Sequence, residues 1–124
     1  MTNVDLNKYN LNAPGGLSDA IAALLDSKKG KDVVTVNLEG KTIIADYFVI
    51  ASAFSATAVK ALADFVEEEL SKKGIEPLHR DVDQKWIALD YGSVIVHVFY
   101  KELREFYDIE RLWAEGDNIK KFID

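Results

Sequence analysis

Residues 85–100 read KWIALDYGSVIVHVFY, two apolar-rich runs around a Gly-Ser pair. Runs of this length, broken by a glycine-containing pair, are the pattern of two strands joined by a tight turn. A two-residue loop at Gly92-Ser93 pairs Tyr91 with Val94, Leu89 with Val96 and Ile87 with Val98. Every residue of that face is apolar or aromatic, so it belongs in a core. The opposite face pairs Asp90 with Ile95, Ala88 with His97 and Trp86 with Phe99. Two large aromatics there share a surface with an acid and an imidazole. A face meant only for water rarely carries Trp beside Phe, and a buried face carries Asp and His only when they are paired. Two readings stay open. One is a protein interface anchored by Trp with polar groups around it. The other is a face covered by a helix, with Asp90 accepting a buried hydrogen bond.

The remaining pattern supplies a scaffold for this hairpin. Ser18 as N-cap, Ile21, Leu24 and Leu25 at helical spacing, and Gly30 as a stop predict a first helix. Val34, Val36 and Leu38 alternate with Thr35 and Asn37, which predicts a strand, and Glu39-Gly40-Lys41 turns the chain. Residues 47–51 are apolar on both faces, as in a strand covered on both sides. Ser55 or Ala56 opens the longest helix, with Val59, Leu62, Ala63, Val66 and Leu70 as its apolar stripe and Gly74 as its stop. Residues 75–79 contain Pro77 and predict at most a short edge strand. Leu103, Phe106, Tyr107, Leu112 and Trp113 suggest one or two short helices, and Ile119, Phe122 and Ile123 a last docked turn. The order helix, strand, strand, helix, strand, strand, strand, helix predicts an α/β domain with a mixed sheet flanked by helices. The stretch from residue 47 through the long helix to the next strand is a βαβ-type crossover. Residues 1–16 are polar and close on Pro14-Gly15-Gly16, which predicts a flexible N-terminal arm before a single domain over 17–124.

Composition narrows the function classes. At 124 residues and 48% hydrophobic content the chain can bury a real core as one domain. It has no cysteine, hence no thiol nucleophile, disulfide framework or cysteine metal site. The N-terminal stretch lacks a basic region followed by an apolar core, and no apolar run is long enough for a membrane helix, so a cytoplasmic, soluble protein is expected. The formal net charge of −6 disfavours direct grip on nucleic acid and suits a basic protein partner, or serves solubility alone.

Catalytic constellations are thin. His79 and His97 lie in no ligand-spaced cluster, so no metal site and no cofactor are expected. Asp81 and Asp83 would share a face if both lay on a strand, as two-metal nucleotidyl transfer requires, but Arg80 and Lys85 flank them and no phosphate loop precedes them. The bland alternative is a solvated acidic turn. Ser52 and Ser55 do not form a nucleophile elbow, because Ala53 and Phe54 occupy the turn between them. Asp46 is better suited to fixing the start of the strand, or to facing a partner, than to moving protons.

Several blocks together resemble the ribosomal silencing factor family, also called Iojap-like. They are Asp46-Tyr47-Phe48-Val49-Ile50-Ala51-Ser52, Trp86, Leu89-Asp90-Tyr91-Gly92, Val96-His97-Val98-Phe99, Arg104-Glu105-Phe106-Tyr107, and Glu110 with Leu112-Trp113. The resemblance covers roughly residues 17–114. It implies a fold similar to the nucleotidyltransferases but without their catalytic residues. It further implies binding to the large ribosomal subunit through its ribosomal protein fourteen, a block on joining of the small subunit, and a homodimer when free. Departures fall at Ala53, where the family usually has Gly, at Asp81-Val82, where it usually has Glu-Gly, and at Ser93, where it usually has an acid. The partner-binding residues expected on these grounds are Trp86 and Phe99 as apolar anchors, Asp90 as a charge contact, and His97, Asp46, Tyr47, Arg104, Tyr107 and Trp113. The runner-up is a nucleotidyltransferase-like enzyme using Asp81 and Asp83.

Overall fold

The structure, a computed structural model, describes residues 4–108, 111 and 118–122, with the side chains of Phe106 and Tyr107 outside the description. Among the described residues the α-helices and strands are, in chain order, α1 (Pro14–Ser27), β1 (Lys31–Asn37), β2 (Tyr47–Ala53), α2 (Ala56–Ser71), β3 (His79–Val82), β4 (Trp86–Asp90), β5 (Val94–Tyr100), α3 (Lys101–Tyr107) and β6 (Ile119–Lys121). The six strands form one sheet in the order β3-β4-β5-β2-β1-β6. The β2–β5 pair is parallel and every other pair is antiparallel, so the sheet is mixed as the element order predicts.

Helix α2 forms where its local signals place it. Ser55 adopts an extended backbone and its Oγ accepts from the Ala58 N–H, meeting a donor the first turn would leave open. Val59, Leu62, Ala63, Val66 and Leu70 are all buried, and Gly74 takes the left-handed conformation after the helix (φ 76°). Arg80 of β3 ties the sheet edge to this helix, with Nη2 2.8 Å from Asp64 Oδ1 and Nη1 3.3 Å from Glu67 Oε1.

Both long helices lie on one side of the sheet. There Ile21, Leu24 and Leu25 of α1 and the α2 stripe meet Val49 and Ala51 of β2, Ile87 and Leu89 of β4, and Val96 and Val98 of β5. A second apolar cluster fills the other side: Val34, Val36, Leu38, Ala45, Phe48, Ile50 and Phe99, with Leu103 of α3 and Ile119 of β6 against it. Strand β2 contributes alternate residues to both clusters, which explains its continuous apolar run.

Expectations change near the N-terminus, at the sheet edge and near the C-terminus. The first helix begins at Pro14, not after Ser18. Pro14 fits a first helical position, where its missing N–H costs nothing. Ser18 is buried inside the helix, and its Oγ donates to the Gly15 carbonyl at 2.9 Å. Upstream, in the stretch expected as an arm, a 3-10 turn at Leu6–Lys8 puts the Leu6 side chain into the main core. The edge strand after α2 lies at 79–82, beyond Pro77, so Asp81 is a strand residue and not part of a turn. The segment 119–121, expected as a docked turn, is strand β6, antiparallel to β1. Residues 112–117, Trp113 among them, lie outside the described residues.

Gly16 shows how tightly the N-terminal stretch is packed. A Cβ there would stand 2.1 Å from the Asn10 carbonyl oxygen. Backbone cannot yield as a side-chain tip can, so Gly16→Ala is expected to destabilise the fold by about 1–3 kcal/mol, the range for overpacking. Gly74→Ala, which meets open space and suffers only its positive φ, is expected to cost about 1 kcal/mol. Urea denaturation of both variants measures the difference, and equal midpoints would remove the N-terminal contact from this account.

Candidate functional site: the aromatic face of the sheet

Strand pairing assembles the site. Along β4 and β5 the partners are Trp86 with Phe99, Ala88 with His97 and Asp90 with Ile95, as the two-residue loop requires. The parallel β2–β5 pairing then brings Phe48 beside Ile95 and Ile50 beside His97 on the same face. This face is the one away from α1 and α2.

Its centre is a stack of rings. Trp86 lies over Phe99 with centroids 4.9 Å apart and planes 27° from parallel. The Phe48 ring meets His97 edge-on at 4.8 Å, and Phe99 and His97 are stacked at 6.0 Å. Such offset and edge contacts are worth about 0.5–1.5 kcal/mol each beyond area burial. The Trp86 Nε1–H donates to His97 Nδ1 at 3.2 Å. Trp86 is half-buried, whereas His97 is 8% exposed and Phe99 1%. Phe99 is therefore the support on which Trp86 rests, and Trp86 is the ring that reaches the surface.

The donor from Trp86 fixes the state of His97. Nδ1 accepts, so the imidazole proton is on Nε2. Nε2 is buried and, among the described residues, has no hydrogen-bond partner. Burial also pushes the imidazole pKa down from 6.5 to about 4, so His97 is neutral near pH 7. An orphaned buried donor costs about 1–3 kcal/mol, and folding gains nothing from it.

The other candidates separate by position. Asp90 is half-buried, and its Oδ1 accepts from the Gly92 N–H at 2.7 Å, bracing the hairpin turn. Asp46 stands one residue before β2, where its N–H donates to the Ser93 carbonyl (2.8 Å) and its carbonyl accepts from Leu38 N–H (2.7 Å). Tyr47 packs on the helix side of the sheet, away from Trp86, and its hydroxyl donates to Glu39 Oε1 at 3.2 Å. Burial, then Glu39, raises its pKa. Arg104 is buried in α3, where Nη1 donates to Ser52 Oγ (2.8 Å) and to the Lys31 carbonyl (3.3 Å), holding α3 to β2 and β1. Tyr107 closes α3, with its side chain outside the description; Trp113 lies outside the described residues. The structure thus gathers Trp86, Asp90, His97 and Phe99 on one face and places Tyr47 on the other.

Asp81 and Asp83 do not make a pair on a strand. Asp81 is exposed on β3, whereas Asp83 lies in the turn to β4, its Oδ1 accepting from the Lys85 N–H at 3.4 Å. Sequence reasoning missed Phe48 and Ser52 as parts of this face. Phe48 meets His97 only through the parallel pairing, and the one signal for it was the two-sided apolar run of β2.

The family model described as "Ribosomal silencing factor during starvation" matches residues 12–124. A ribosomal silencing factor of Bacillus subtilis is 33% identical over 97 residues, covering 77% of this chain and 82% of that protein. One of Haemophilus influenzae is 35% identical over 100 residues, covering 79% and 98%. A mouse protein named for mitochondrial assembly of the ribosomal large subunit is 27% identical over 102 residues, covering 77% of this chain and 44% of its own length. Among solved structures, a protein of Chromobacterium violaceum superimposes with a TM-score of 0.74 at 28% identity, covering 87% of this chain and 92% of that one.

The pH dependence of stability follows from His97. Its folded pKa lies below its unfolded value, so the unfolded chain binds the extra proton first. The stabilisation is fully present above about pH 6.5 and is lost as pH falls through about 4, by about 3 kcal/mol in all. His97→Phe keeps a ring on Phe48 and Phe99 and removes the titrating group. Thermal melts from pH 7 to pH 4 are expected to show a steeper acid loss for the parent than for the variant; parallel curves would mean His97 does not titrate in this window.

Proposed function

The chain belongs to the ribosomal silencing factor family, and from that premise we propose that it binds the large ribosomal subunit through its ribosomal protein fourteen and keeps the small subunit from joining. The mechanism is steric. A domain of this size held by a standard interface, about 800 Å² per partner, occupies space the small subunit needs. The observation that carries the reading is the Trp86–His97–Phe99 stack. It presents a half-buried Trp on buried aromatic supports, and it retains an orphaned imidazole N–H that core packing alone does not require. Trp, with Tyr and Arg, is enriched among the central side chains that carry most of the energy of protein interfaces. Acids at the hairpin-turn end of the strands, Asp90 in β4 and Asp46 before β2, suit a basic partner surface. The reading includes a cytoplasmic location, a homodimer when free and no catalysis.

Binding kinetics with isolated large subunits test it. Trp86→Ala is expected to weaken binding by about 2 kcal/mol, roughly thirtyfold. Asp90→Asn keeps the Oδ1 that braces Gly92, so it is expected to slow association and flatten the salt dependence while leaving the turn intact. A folded Trp86→Ala protein that binds like the parent would move the interface off this face. Binding to small subunits but not to large ones would overturn the reading altogether.

A second expectation concerns chemistry. Incubation with magnesium and nucleoside triphosphates is expected to yield no transfer product. Turnover that vanished in an Asp81→Asn, Asp83→Asn double variant would instead establish the enzymatic alternative.

A further inference from the structure

The helix side of the sheet carries a groove of about 630 Å³ between the end of α1 and the first half of α2. Ala53, Ala58, Ala61 and Leu62 line it together with the rings of Phe54 and Phe65. Ala58, Ala61 and Phe65 repeat at helical spacing beside the buried stripe of α2, so the apolar sector of this helix is wider than the core uses. Phe54 is 61% exposed, which is unusual for a ring next to a buried strand.

The charge around the groove is one-sided. Lys28, Lys29 and Lys31 border it from the connection between α1 and β1. Lys28 Nζ lies 5.0 Å from the Phe65 ring centre, and Lys31 Nζ lies 5.8 Å and Lys101 Nζ 5.4 Å from that of Phe54. Among the described residues none of these four lysines is ion-paired. On the far wall Asp64 is already held by Lys60 at 2.6 Å and by Arg80 at 2.8 Å, which leaves Glu68 as the acid there that makes no close ion pair among the described residues. A net positive rim around an apolar floor therefore stands on a chain whose formal charge is −6.

We propose that this groove docks an acidic amphipathic peptide segment of a second protein partner, with a bulky apolar side chain seated over Leu62 and carboxylates against Lys28, Lys29 and Lys31. The apolar floor and the overall negative charge select a peptide over RNA. A polyanion would meet long-range repulsion and lay phosphates over alanine and leucine, whereas a peptide needs only one or two acids beside its anchor. Because the groove and the Trp86 face lie on opposite sides of the sheet, both partners can be held at once. The inference goes beyond the proposed ribosomal role and does not rest on it.

The test is selection of a phage-displayed library of random peptides, roughly 16 residues long, on the full chain, with counter-selection on Ala61→Arg. Ala61 is exposed on α2, and Arg is a good helix former there. The expected product is a peptide class with Asp or Glu flanking Leu, Phe or Trp. Its affinity is expected to fall about tenfold in Ala61→Arg and in a Lys28→Glu, Lys29→Glu variant, and to weaken with salt. Trp86→Ala is expected to bind the peptide normally. No enriched class, an enriched basic class, or tighter binding of a labelled oligouridylate to the parent than to the lysine variant would each overturn the proposal. So would dissociation of a dimer by Ala61→Arg, since the occupant would then be a second copy.

Discussion

The hairpin turn at residues 91–94 sets the register on which both faces depend. Gly92 has a φ of 86°, which a side chain resists, and its N–H is held by Asp90 Oδ1 while Tyr91 N–H donates to the Val94 carbonyl. Strand side chains alternate with period two, so a slip of one residue would exchange the faces. A slip of β4 against β5, which β2 holds in place, would carry Ile87 and Leu89 away from the helices and turn Trp86 toward them. The cost of such an inversion is two fully buried side chains at about 1.5–3 kcal/mol each, which is why a two-residue loop suffices to determine the geometry of a site.

Where the determinants are local, they were legible in the sequence. The start of α2 follows from Ser55, its stripe from the 3.6-residue period, and the hairpin faces from alternation around Gly92-Ser93. The start of α1 was not legible. Pro14-Gly15-Gly16 reads as a breaker by propensity, yet these residues form the first turn of a helix. Close packing explains it: Gly15 approaches the Tyr47 hydroxyl from far along the chain, and Gly16 leaves no room for a side chain beside the Asn10 carbonyl. Small residues there allow a close approach that outweighs their helix propensity. Strand β6 was hidden for another reason. Ile119-Lys120-Lys121 has one apolar residue and exists as a strand through its pairing with β1.

The site divides along the same line. Alternation could place Trp86, Asp90, His97 and Phe99 on one face, but it could not say which of them reaches solvent. That depends on β2, whose Phe48 arrives from far along the chain to meet His97. Tyr47 shows the converse. Adjacent to Asp46 in a shared block, it is turned by the strand's period to the helix side, so neighbours in sequence do not share a face.

The Trp86–His97 hydrogen bond links protonation to the shape of this face. Nδ1 can accept from the indole only while the imidazole is neutral, because an imidazolium has donors at both nitrogens. Protonation would therefore set two donors against each other, remove the bond that orients Trp86 and place a charge among Phe48, Phe99 and Trp86. The low pKa keeps that state away from neutral pH, so the indole is held in one orientation by the bond on its edge and by Phe99 beneath it. A side chain fixed in this way loses little conformational freedom when a partner covers it, and the cost of ordering it has been met in folding. In the proposed binding mode His97 acts by orienting Trp86, since its own ring is buried.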